Sequence, residues 1–221
     1  AQPQGGGPGG DKRHGDRHAN LRRVHDLLPQ NDFGQASDTV LYRGDMRQLV
    51  IDAVVNTALP SLTGCRIPLH GCLDSVLHAQ AGPWMRNDCA TIMEMQGLDE
   101  EPRGSAKITR GYRLPAKYVI HTVGPDVKDG KIEDHDREIL YNCYWNSLEL
   151  AGKVQDLRSI AFPAIATGYN AFPIRQAAEI ALDAVSDWMD AHGQNLDLIV
   201  FSVHAEEDAL VYADVLNTWI D

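Results

Sequence analysis

The chain has 221 residues, a mass of 24.4 kDa and a formal net charge of −11, from 20 Lys+Arg against 31 Asp+Glu. That length suits one domain, or one domain with an appendage, and the charge argues against broad duplex binding, which needs a basic face to displace counterions. Four cysteines are too few for a disulfide scaffold, and no apolar run approaches the roughly 18 residues of a membrane span.

The first ten residues are Gly- and Pro-rich and cannot bury enough surface to order themselves. After them, Leu21, Val24, Leu27 and Leu28 recur at helical spacing. Residues 1–38 therefore read as a flexible leader with one short helix, and 39–221 as the folded domain. The segment up to Thr39 carries five basic and five acidic residues, so the acidic excess belongs to the domain.

Within the domain, Thr39–Tyr42 is a short strand and Ala53–Asn56 an apolar run suited to a sheet centre. Leu73–Ala81 reads as a helix, and a second runs from Pro83 to a C-terminal stop at Gly97. Strands follow at Ala106–Thr109 and Tyr118–Thr122, a helix at Asp134–Leu150 and a strand at Ser159–Pro163. A helix with Pro173 in its first turn runs to Met189, then a strand at Leu196–Val203 and a last helix at Glu206–Ile220. Strands alternating with helices require crossovers, hence an α/β sheet with helices on both faces. Ligands of such sheets bind beyond the carboxyl ends of the strands, which points to the segments after Asn56 and Pro163.

Four segments are candidates for chemistry. Cys65, His70 and Cys72 form a Cys-x4-His-x-Cys cluster in a strand–helix loop. Thiolate and imidazole suit zinc, and three protein ligands leave one position open; the alternative is a buried pair of free cysteines beside a surface histidine. Asp74 and His78, four apart, share a helix face. Asp74 is either a helix-start residue favoured by the dipole or a carboxylate that positions or deprotonates a water. The bend Ala164–Pro173 can present backbone N–H groups to an anion. Asp45, in Tyr42-Arg-Gly-Asp-Met46, is either a turn residue or an acceptor for an exocyclic amine.

Taken in order, Tyr42-Arg-Gly-Asp45, Asp52-Ala-Val-Val-Asn56, Ala106-Lys-Ile-Thr109, Leu114 to Pro125 and Phe162-Pro-Ala-Ile-Ala-Thr-Gly168 resemble a macrodomain over about residues 39–221. The insertion from Gly64 to Gly82 resembles the zinc-containing branch of that family, known from microbial pathogens. The resemblance implies a three-layer α/β/α fold with a mixed central sheet that binds ADP-ribose at the strand ends. It implies that Asp45, with Met46 beside it, binds the adenine end. It places Asn56 and Asp74 at the distal ribose as the catalytic pair, Thr167, Gly168, Tyr169 and Asn170 around the diphosphate, and Zn2+ on Cys65, His70 and Cys72.

The implied function is a zinc-dependent hydrolase that removes mono-ADP-ribose from protein side chains; the alternative is a non-catalytic ADP-ribose reader. Leu59 stands where the family usually has a second Asn at the distal ribose, and a Leu cannot donate a hydrogen bond. Either zinc takes over that task or catalysis is weakened. Ala166 replaces the usual Ser and Asn170 the usual aromatic of the phosphate loop, with Tyr169 a candidate substitute ring. The expected partners are ADP-ribose and mono-ADP-ribosylated protein, with no membrane, no sequence-specific nucleic acid, a monomeric state and a cytoplasmic location that keeps the thiols reduced.

Overall fold

The computed structural model describes residues 38–127, 131–193 and 195–220. The predicted leader, with its patch at Leu21–Leu28, lies outside the described residues save for Asp38. The elements are β1 (Asp38–Arg43), β2 (Ala53–Thr57), α1 (Leu73–Ala81), α2 (Pro83–Gln96), β3 (Ala106–Arg110), β4 (Tyr118–Thr122), α3 (Asp134–Gly152), β5 (Ser159–Pro163), α4 (Ile174–His192), β6 (Leu198–Val203) and α5 (Glu206–Ile220). A 3-10 turn at Met46–Gln48 follows β1.

The sheet has the order β1-β6-β5-β2-β4-β3. Only β3 runs antiparallel to its neighbour, so the sheet is mixed, as expected. Side chains alternate between its faces with period two. In β2, Ala53 and Val55 pack with α3, α4 and α5. Val54 points the other way, into a core shared with Leu77 and Ala81 of α1 and Met85 of α2. The same parity places Asn56 with Val54, on the α1 side. In β4, Val119 belongs to that core as well, so His121, two residues on, shares the face. Asn56 and His121 are register partners on adjacent strands.

The sequence-derived boundaries hold with small shifts. Pro173 is the N-cap of α4 and precedes its first turn, because its ψ of 127° is extended. The last strand begins at Leu198, after buried Leu196. Gly97 ends α2 at φ +66°, where its N–H reaches Met93 O at 3.1 Å. No helix among the described residues is long and apolar enough to cross a membrane.

Candidate active site

A cleft of about 880 Å³ opens at the carboxyl ends of β1, β2, β5 and β6. Asp45, Met46, Cys65, His70, Cys72, Asp74, Thr167, Gly168, Tyr169 and Asn170 all line it, so segments spread along the chain converge there. Asn56 does not line it: the residue is wholly buried beneath Asp74.

The three-donor loop closes on itself. Gly64, at φ +85°, turns the chain under α1, where an added Cβ would sit 2.9 Å from the His78 ring. A second left-handed residue, Leu69 at φ +61°, swings its own side chain into solvent and brings His70 back toward Cys65. The ligand atoms of Cys65, His70 and Cys72 lie within 4.8 Å of one another, with Cys65 Sγ 3.3 Å from His70 Nδ1. Cys72 is the N-cap of α1, and its Sγ accepts from Ser75 N at 3.4 Å. Burial, with the neighbouring Cys65 as a lesser cause, pushes the Cys72 thiol up. A divalent cation at these donors would reverse that shift by deprotonating the thiols. Two sulfurs, one imidazole and a helix N-terminus that favours thiolate thus fit a zinc ion.

Cys72 caps the helix, which frees Asp74 for another task. Asp74 Oδ1 accepts from Asn56 Nδ2 at 2.8 Å, and Leu59 N lies 3.5 Å from Oδ2. Desolvation raises the Asp74 pKa above the usual carboxylate value, opposed by the Asn56 hydrogen bond. His78 Nε2 lies 3.4 Å from Asp74 Oδ1, too poorly aligned for a hydrogen bond, and neither ring nitrogen has a well-formed hydrogen bond among the described residues. Burial drives the His78 pKa down to about 4, so the ring is neutral at physiological pH. Arg86 contributes the nearby positive charge that both Asp74 and His78 feel.

The bend after β5 also lines the cleft. Ala166 sits at φ +65° and Ala171 at φ +53°. Thr167 Oγ1 donates to Ala164 O at 2.9 Å, and Asn170 Nδ2 to Pro125 O at 2.7 Å. These side chains tie the loop down. The backbone N–H groups of Gly168, Tyr169 and Asn170 donate to no acceptor among the described residues, which suits an anion. Tyr169 is largely exposed and meets the His70 ring edge-on at 6.0 Å, so the anion loop and the three-donor loop touch.

At the far end, Asp45 caps the 3-10 turn. It accepts from Arg47 N at 3.0 Å and from Arg47 Nε and Nη2 at 2.9 and 2.7 Å. Those hydrogen bonds hold the Asp45 carboxyl below its usual range. Arg47, His204 and Asp208 also line this end and were not picked out from sequence. Arg47 could have been suspected from its two-residue spacing to Asp45; nothing local marks the other two. His121 and Thr109 were missed for another reason: only strand register places them beside Asn56.

Residues 55–181 match the family model described as Macro domain. A protein-ADP-ribose hydrolase from Treponema medium is 42% identical over 201 residues, covering 91% of this chain and 75% of the relative. The Oceanobacillus iheyensis macrodomain with ADP superposes with TM-score 0.76 at 33% identity, covering 87% of this chain and 96% of that one. The Trypanosoma brucei macrodomain in complex with ADP-ribose does so at 0.72 and 33%, covering 86% and 75%.

Proposed function

The chain belongs to the macrodomain family, and we propose that it is a zinc-dependent hydrolase removing mono-ADP-ribose from modified protein side chains. One observation carries the reading. A buried carboxylate, Asp74, stands on the cleft wall two residues from Cys72, beside a set of donors able to hold zinc. Relatives named for this hydrolysis and structures with ADP or ADP-ribose bound support it.

Asp45 and Met46 receive the adenine end. The free N–H groups of Gly168 to Asn170 hold the diphosphate, giving an acidic protein local positive potential there. The distal ribose then reaches Asp74. When bound, zinc supplies a Lewis-acidic position for ribose hydroxyls or water. Hydrolysis breaks the bond between the anomeric carbon and the modified side chain, which departs with the bonding electron pair, through an oxocarbenium-like state. Asp74, made more basic by burial, takes a proton as the water oxygen bonds to that carbon. Asn56 acts from behind by holding Asp74 in place. The free state of all four cysteines suits a reducing compartment such as the cytoplasm.

Leu59 favours a second reading, a non-catalytic reader. Its side chain, 42% exposed on the cleft wall, brings no donor to the ribose. Zinc content, ADP-ribose affinity and release from a mono-ADP-ribosylated protein, measured for wild type, Asp74→Ala and Cys72→Ser, separate the two. Release abolished in both variants supports the hydrolase. Binding without release in the wild type supports the reader. Absence of both zinc and binding refutes both readings.

A further inference from the structure

Beneath the cleft, a line of polar side chains crosses three adjacent strands on one sheet face. Asn56 of β2, His121 of β4 and Thr109 of β3 are all buried, and none lines the cleft. Asn56 Nδ2 lies 2.8 Å from Asp74 Oδ1 and 3.1 Å from His121 Nδ1. His121 Nε2 lies 2.9 Å from Thr109 Oγ1, which donates to Arg110 O at 3.2 Å.

The directions of these bonds follow from which groups can donate. A carboxylate only accepts, so Asn56 turns its NH2 toward Asp74. The same nitrogen faces His121 Nδ1, which therefore accepts and carries no proton. A neutral imidazole has one N–H. It sits on Nε2 and is given to Thr109, whose own hydroxyl proton goes to the Arg110 carbonyl. Every donor in the line meets an acceptor, from a backbone carbonyl to the Asp74 carboxylate. Burial, with His78 as a lesser cause, lowers the His121 pKa to about 3, so the ring stays neutral in the working range.

We propose that His121 is a positioning residue for the Asp74 site: as an acceptor it fixes which way the Asn56 amide faces, and so holds Asp74 in its catalytic orientation. Without an acceptor there, the Asn56 amide has no second anchor for its nitrogen. One buried N–H then goes without an acceptor, and the amide turns off its line to Asp74 to recover one. The inference rests on the hydrolase reading for its effect on rate, but not for its geometry.

His121 also belongs to a second three-donor cluster, with His78 and Cys89. Cys89 Sγ is 3.6 Å from His121 Nε2, and burial pushes the Cys89 thiol up to about 12. A metal ion there would require the lone pair of Nε2, the atom that the Asn56 bond leaves protonated. The hydrogen-bond directions therefore favour the positioning role over a buried metal site.

Two measurements test the proposal. Imidazole 1H–15N correlation spectra of the wild type are expected to show His121 as the Nε2–H tautomer, with two slowly exchanging Asn56 amide protons. The Nδ1–H tautomer, or a second zinc per chain, overturns it. Release of ADP-ribose is then compared in His121→Leu, which removes the acceptor, and His121→Asn, whose amide oxygen can replace Nδ1. His121→Leu is expected to lower kcat at least about 10-fold with KM and ADP-ribose Kd within about 3-fold, and His121→Asn to recover most of that loss. Equal loss in both variants, or none in His121→Leu, overturns it. If the wild type releases nothing, the hydrolase reading fails alone, and the spectra of wild type and His121→Leu still decide whether His121 orients Asn56.

Discussion

Asn56 Nδ2 and Asp74 Oδ1 are 2.8 Å apart, both side chains buried, joining the end of β2 to the first turn of α1. Truncation by Asn56→Ala leaves a buried carboxylate without its main donor. It is expected to lower stability by about 1–3 kcal/mol and to slow ADP-ribose release while ADP-ribose still binds. Urea denaturation and calorimetric titration check the two effects separately.

Much of this arrangement was legible in the sequence. The strand–helix alternation, Gly97 as a stop and Pro163 as a strand end are local signals, and they placed the cleft at the strand ends. Cys65, His70 and Cys72 could be grouped because they lie within eight residues. Whether Asp74 served the helix or the cleft could not be read locally. In the fold, Cys72 takes the cap and Asn56, arriving from another element, bonds Asp74 where it lines the cleft. His121 and Thr109 stayed hidden because their neighbourhood is set by register between β2, β4 and β3, which no spacing along the chain reveals.

His78 and His121 make the fold sensitive to acid. Their pKa values fall to about 4 and about 3 on burial, from about 6.5 in the unfolded chain. The unfolded state therefore binds more protons below pH 6.5. The stability these groups contribute is complete above that pH and is lost as pH falls toward 4. Between pH 6.5 and 5 the loss should be about 2 kcal/mol per histidine. Asp74, raised by burial, works in the opposite sense over the carboxylate range. Urea midpoints of chelator-treated protein at the two pH values, for wild type and His121→Asn, check this; a smaller drop in the variant is expected.

Asp45 lies at the opposite end of the cleft from Asp74, bound to Arg47. Its removal in Asp45→Ala should weaken the grip on adenine without touching the reacting bond. KM for release and Kd for ADP-ribose should rise by about 10-fold with kcat nearly unchanged. A fall in kcat alone would assign Asp45 a different part.

Ala166 holds a left-handed backbone conformation at φ +65° that glycine adopts without strain. Ala166→Gly is expected to be neutral or to stabilise the protein by up to about 1 kcal/mol, relief of strain outweighing the added freedom of the unfolded chain. Thermal denaturation reads the shift. A clear loss would mean that the Ala166 methyl group, packed near Gly124, contributes more than its strain removes.

The most direct measurement is release of ADP-ribose from a mono-ADP-ribosylated protein by the wild type as purified, after removal of metal by a chelator, and after zinc is returned. The donor set of Cys65, His70 and Cys72 beside Asp74 leads us to expect release, then its loss, then its recovery at one zinc per chain. Undiminished release by protein shown to hold no metal would contradict the account.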